Sequence, residues 1–288
     1  MSLFVSTTYY RDNVPLSEVL NQLKINDINN VEIGSNHCWE PNYDYLNRYD
    51  FNFLIHNYFP VPKKNIVINI ASCNKNIRQE SINHIKNSIE FASRIGAKLY
   101  TFHPGFVDDP ISQNISASNY DFIWQKNKSF NNSISNIYQK MYDSIKIICD
   151  FASKIGLKIA IETQGSYYQN DYLLMTKTQE YEDFMKHFSQ NEIGINVNIG
   201  HLNLSAKKNN FKISNFISKI DSHIVAFELS HNNGKKDEHV PMQENAWYWK
   251  ILSLKKFSKI PKILEFRNVS IYKLKENIKL CKNKLNVL

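Results

Sequence analysis

The stretch Ile224-Val225-Ala226-Phe227-Glu228-Leu229-Ser230-His231-Asn232-Asn233-Gly234-Lys235-Lys236-Asp237-Glu238-His239 begins as a short apolar run and then turns abruptly polar. The first half suits a buried strand. The second puts His231, Asp237 and His239 in one loop around Gly234. A strand that hands over directly to potential metal ligands is how a barrel of parallel strands builds a site at its strand ends.

Working outward from it, seven more strand-like runs are found: Leu3 to Tyr9, Asn30 to Ser35, Phe51 to Asn57, Ala97 to His103, Leu157 to Thr163, Ile193 to Asn198 and Lys262 to Arg267. Most are short, rich in Ile, Val, Leu and Phe, and not cleanly alternating, as expected of strands covered on both faces. Helical stripes separate them. Leu16, Val19, Leu20 and Leu23 share one face, as do Ile82, Ile85, Ile89 and Ala92, and again Ile134, Ile137, Met141, Ile145 and Ile148. The second and third stripes close alike, Ala92-Ser-Arg-Ile-Gly96-Ala and Ala152-Ser-Lys-Ile-Gly156-Leu, with each glycine placed to cap a helix. Further helices are expected over Gln179 to His187, Phe211 to Ile220, Glu244 to Phe257 and Ile271 to Cys281. Eight strands alternating with helices predict a (β/α)8 TIM barrel in which residues 1–288 form a single domain.

Composition agrees. Hydrophobic residues make up 42% and charged residues 22%, enough apolar side chain for a sizeable core and too little charge for a disordered chain. No apolar run approaches a membrane span and no signal-peptide pattern opens the chain, so a cytoplasmic protein without a membrane partner is expected. Cys38, Cys73, Cys149 and Cys281 are scattered and read as reduced thiols. The net charge of +8 comes from Lys spread over nearly every helix, not from a dense basic block, and so gives no footprint for nucleic acid. Two connections, Gly105 to Phe130 and Gln164 to Thr178, are too long for turns. Their aromatics (Phe106, Tyr120, Phe122, Trp124; Tyr167, Tyr168, Tyr172) suit either lids or binding walls over the strand ends or a plain covering of the barrel's rim.

The strand ends carry the chemistry. They present His56, His103, Glu162, Asn198 with His201, His231 and Glu265, so six of the eight runs end in a side chain that binds metal or moves protons. His84 and His187 fall within helical patterns and are expected in solvent. Glu162 and Glu265 each close an apolar strand, and a buried carboxylate there calls for a proton, a partner or a cation. Mixed oxygen and nitrogen donors suit Mn²⁺, Mg²⁺, Co²⁺ or Zn²⁺ without choosing among them.

Taken in order, Ile55-His56-Asn57-Tyr58-Phe59-Pro60, Phe102-His103-Pro104-Gly105, Ala160-Ile161-Glu162, Asn198-Ile199-Gly200-His201, the loop Ser230 to His239, and Leu264-Glu265 make the chain resemble the xylose isomerase-like TIM barrels. That superfamily comprises isomerases and epimerases of sugars and sugar phosphates and the endonuclease IV type of abasic-site nuclease. The resemblance implies a divalent metal held by Glu162, Asn198, His231 and Glu265. Glu162 and Glu265 would double as the acid/base pair at a carbon next to a carbonyl, while His56, His103, His201, Asp237 and His239 bind substrate or support the metal. At the Asn198 position the family usually has Asp, and a neutral amide oxygen is the weaker ligand. The expected function is therefore a metal-dependent isomerase or epimerase of a small sugar or sugar phosphate, with homo-oligomerisation compatible. The alternatives are a zinc phosphodiesterase acting on abasic DNA, which would recruit the extra histidines and Asp237, and a barrel that binds carbohydrate without turning it over.

Overall fold

Eight strands close into a parallel barrel: β1 (Leu3–Ser6), β2 (Asn30–Ile33), β3 (Asn52–His56), β4 (Tyr100–Phe102), β7 (Ile159–Glu162), β8 (Gly194–Asn198), β9 (Ile224–Leu229) and β10 (Lys262–Leu264). They follow one another around the ring in chain order, and β10 pairs with β1 to seal it. Between β4 and β7 a two-residue antiparallel ladder, β5 (Ser112–Gln113) with β6 (Phe122–Ile123), sits in the longest connection. The computed structural model describes residues 2–64, 66–110, 112–113, 122–123, 133–165 and 171–285. The expected loop aromatics Tyr120, Trp124, Tyr167 and Tyr168 lie outside them.

The helices are α1 (Leu16–Ile25), α2 (Lys75–Arg94), α3 (Ile134–Ile155), α4 (Thr178–His187), α5 (Ile199–Asn209), α6 (Ile213–Ile220), α7 (Trp249–Leu252) and α8 (Ile271–Lys284). The three apolar stripes face the barrel as expected, except that Ile134, in the first turn of α3, is 52% exposed. Gly96 and Gly156 follow α2 and α3 with φ of 70° and 74°, a left-handed conformation that a β-carbon disfavours. The helix expected over Glu244 to Phe257 is reduced to α7 and a 3-10 turn at Lys255–Phe257. Helix α5 has no counterpart among the sequence expectations. It starts at the end of β8, where the Asn198 side chain caps it by accepting from the His201 backbone N–H at 3.1 Å.

The barrel interior is layered by the two-residue period of its strands. Phe4, Leu54, Leu99, Ala160, Ala226 and Ile263 form an apolar plug at the end where the strands enter. Two residues further along the same segments come Ser6, His56, Thr101, Glu162, Glu228 and Glu265, all buried and all polar. The plug covers the polar layer from below, and the carboxyl ends of the strands lie on its other side.

Candidate metal and acid-base centre

Asn198 stands at the middle of the polar layer. Its amide nitrogen Nδ2 lies 3.0 Å from Glu162 Oε1, 3.0 Å from Glu228 Oε2 and 2.9 Å from Glu265 Oε2. The helix cap fixes this orientation: Oδ1 is engaged by the His201 N–H, so the NH₂ turns toward the carboxylates. An amide has two hydrogens and three carboxylates converge on it, so one of the three is always short of a full donor. A second amide assists, Asn196 Nδ2 donating to Glu228 Oε1 at 2.7 Å. The expected role of Asn198 as an oxygen ligand is thus replaced in this conformation by that of a hydrogen-bond donor.

On one side of this centre, Glu162 Oε2 is approached by His103 Nε2 at 3.3 Å and His56 Nε2 at 3.4 Å. This oxygen is buried and accepts no hydrogen bond. A second-layer contact orients His56, whose Nδ1 lies 2.8 Å from Thr101 Oγ1. Burial pushes the His103 ring down to about 4, so it is a neutral imidazole at pH 7. Burial works to raise Glu162, but the imidazoles of His103, His56 and His201 overcome it and hold the carboxyl below the usual range.

On the other side, Asp237 Oδ2 is shared by His239 Nε2 at 2.8 Å and His201 Nε2 at 3.2 Å. Each ring has a second acidic partner: His201 Nδ1 lies 3.0 Å from Glu162 Oε1, and His239 Nδ1 lies 3.2 Å from Glu265 Oε2. Burial opposes charging these rings, yet Asp237 prevails; it raises His201 well above the ordinary histidine value and His239 to about 9. Without a cation this side is held by ion pairs.

Ligand atoms within 4.8 Å of one another identify three groups that could hold a metal ion among the described residues: His56, His103 and Glu162; His201, Asp237 and His239; and Glu32, His56 and Glu228. The structure therefore gathers eight of the nine expected residues, Glu162, Glu265, Asn198, His56, His103, His201, Asp237 and His239, around one axis. His231 is the exception and corrects the expected register. In β8 and β9, Asn198 pairs with Glu228, so the inward position opposite Asn198 belongs to the glutamate. His231, three residues on, has the opposite parity; its backbone bridges Val240 and its ring packs edge-on to Tyr248, with centroids 6.0 Å apart. His84, expected in solvent, packs beside Tyr58, and burial pushes it down to about 4; His187 is exposed as expected.

Two residues were missed, Glu228 and Glu32. Burial and the charges of Glu162 and Glu265 push Glu228 well up; burial and Glu265 do the same to Glu32. Both lie inside strands, short of the strand ends where the chemistry is expected. The signal available was a single Glu within an apolar run, Phe227-Glu228-Leu229 and Val31-Glu32-Ile33.

Residues 44–284 match the xylose isomerase-like TIM barrel family. An uncharacterized protein of Methanocaldococcus jannaschii is 26% identical, with 98% of this chain and 96% of that protein aligned. Among solved structures, a D-tagatose 3-epimerase-like protein superposes with a TM-score of 0.75 at 21% identity, covering 100% of this chain and 98% of its own. The IOLI protein, solved with a bound zinc atom, gives a TM-score of 0.69 at 13% identity, with 99% and 98% covered. These likenesses establish the fold.

Proposed function

Since the chain belongs to the xylose isomerase-like TIM barrel family, we propose that it is a metal-dependent isomerase or epimerase of a small sugar or sugar phosphate. The observation that carries the reading is the convergence of Glu162, at the end of β7, and Glu265, after β10, within 3.0 Å of one nitrogen on the intervening β8. Two carboxylates so placed flank a substrate carbon from two directions, which is what moving a proton off one face and returning one to another requires. Solved structures of the same fold include proteins described as D-psicose 3-epimerase and L-ribulose 3-epimerase.

The donor set fits a divalent cation. Glu162 Oε2, buried and without a hydrogen bond, faces two imidazole nitrogens at 3.3 and 3.4 Å, a spacing that leaves room for an ion among them. His56, His103 and Glu162 would hold it, and when bound it supplies Lewis-acid polarisation of a substrate carbonyl. The chain's own residues do the rest. Glu162 and Glu265 exchange the proton, His201 and His239 orient them through the contacts at 3.0 and 3.2 Å, and Asp237 fixes both rings. The apolar plug keeps water from the far side of the reacting carbon.

The test is turnover of a panel of ketoses, aldoses and their phosphates by protein loaded with Mn²⁺, Co²⁺ or Zn²⁺. Interconversion that stops on chelation supports the reading; no product from any member with any metal removes it.

A second reading, a zinc phosphodiesterase acting on abasic DNA, is favoured by one observation: two complete three-ligand groups, His56–His103–Glu162 and His201–Asp237–His239, flank the same Glu162. Multinuclear sites of this kind clamp phosphoryl oxygens. Cleavage of an abasic oligonucleotide with several zinc ions per chain would put it first.

A further inference from the structure

The three groups of potential ligands are not equivalent. The third, Glu32 with His56 and Glu228, shares His56 with the first group but adds two buried carboxylates that the proposed proton transfer does not use. Glu32 comes from β2 and Glu228 from β9, and both are 0% exposed. Glu228 is compensated by amide donors from Asn196 at 2.7 Å and Asn198 at 3.0 Å. Glu32 is met less well: no amide donor reaches either oxygen, and only the Ser6 hydroxyl and the Glu228 carboxyl stand beside it. A carboxyl group sealed in a protein interior with so few donors is a costly arrangement unless something else meets it.

From this geometry we propose that Glu32, Glu228 and His56 Nδ1 form a deep cation site, distinct from the strand-end groups, that takes a first-row divalent ion such as Mn²⁺ or Zn²⁺. The spacing suits ligands around an ion. His56 Nδ1 and Glu228 Oε1 are 3.6 Å apart, and all three ligand atoms fall within 4.8 Å of one another. Two atoms each about 2.0–2.6 Å from a shared ion are separated by about 3–5 Å. Two carboxylate oxygens and an imidazole form the mixed hard and borderline set that suits those metals. The ion supplies the charge that Glu32 lacks, while Thr101 Oγ1, 2.8 Å from Nδ1, shapes the edge of the site.

His56 ties the deep site to the one above. Its Nε2 faces Glu162 at 3.4 Å and its Nδ1 faces Glu228 at 3.6 Å. The two ions then share one ligand and bind with linked affinities.

The experiment is anomalous diffraction at the manganese edge from crystals of the whole chain soaked in MnCl₂, paired with metal content by mass spectrometry for the parent and for Glu32→Gln. An anomalous peak within about 2.6 Å of both the Glu32 and Glu228 carboxylates, and one manganese fewer per chain in Glu32→Gln, is the expected result. Peaks confined to the strand-end groups, or an unchanged metal count in a folded Glu32→Gln protein, would overturn it. If that variant does not fold, the parent's map decides alone. The catalytic reading is judged separately, by turnover, and neither result substitutes for the other.

Discussion

Asn198→Asp is the perturbation that bears most directly on how the centre is held together. In the parent, Nδ2 meets three buried carboxylates at 2.9 to 3.0 Å. The substitution removes the donor and adds a fourth acid. At least two charge-assisted hydrogen bonds are lost, each about 1.5–3 kcal/mol. The variant escapes part of this by taking up a proton; holding a carboxyl of ordinary pKa near 4 protonated at pH 7 costs about 4 kcal/mol. The two routes agree on a loss of about 4 kcal/mol in the metal-free protein. For a large domain that lowers the Tm by about 8–16 °C. With a divalent ion present the order changes, because Asp offers an anionic oxygen where Asn offers a donor. A metal at 100 to 1,000 times its Kd adds about 3–4 kcal/mol to the state that binds it. Thermal unfolding of both proteins, in chelator and in excess Mn²⁺, is the assay. The expected outcome is a large deficit for Asn198→Asp in chelator and a larger rise with Mn²⁺ than the parent shows. A variant that unfolds within 1–2 °C of the parent in chelator, or that gains no more from Mn²⁺, would refute the view that the Nδ2 hydrogen bonds hold the carboxylate centre together.

Other outcomes follow from single contacts. Glu162→Gln should lower turnover by at least about 100-fold while the far-UV circular dichroism stays unchanged, and it should also lower metal content, since Glu162 Oε2 is the oxygen facing His56 and His103. Gly165→Ala should destabilise the protein by about 1–3 kcal/mol or more, because a β-carbon there would lie 1.9 Å from the His201 carbonyl oxygen and displace the start of α5; denaturant unfolding measures it. Lys262 is buried on the outer face of the barrel beside Phe227, with its ammonium donating to the Phe257 and Ile260 carbonyls, and burial lowers it from 10.5 to about 8. Its folded-state pKa lies below the unfolded one, so between about 8 and 10.5 the unfolded chain binds more protons and this residue's contribution to stability rises with pH. Lys262→Met should lose that slope in stability measured against pH, and a variant that keeps the parent's slope would show that Lys262 does not set it.

The barrel was legible because its strands are short, apolar on both faces and regularly spaced by amphipathic helices. The strand-end residues His56, Glu162 and Glu265 were legible for a related reason: a polar side chain closing an apolar strand faces the axis when its parity matches the plug below. The same rule, counted from the plug, identifies what was missed. Ala226 faces the axis in β9, so Glu228 does too, and His231 does not. Choosing His231 by its place at the end of the run ignored this alternation. Helix α5 was hidden because Asn198 serves two elements at once, as the last residue of β8 and as the cap of α5. The orientation of its amide was beyond the sequence. It depends on the His201 backbone N–H taking Oδ1, a contact that exists only once the strand has turned into the helix.

The central claim is that Glu162 and Glu265 move a proton on a substrate carbon with a metal at hand. Its most direct measurement is deuterium incorporation at the carbon beside the carbonyl, followed by NMR in D₂O with the metal-loaded protein across ketoses, aldoses and their phosphates. The account predicts incorporation into at least one of them, lost on chelation and in Glu162→Gln. Metal-loaded, folded protein that incorporates no deuterium into any member of the panel would contradict it.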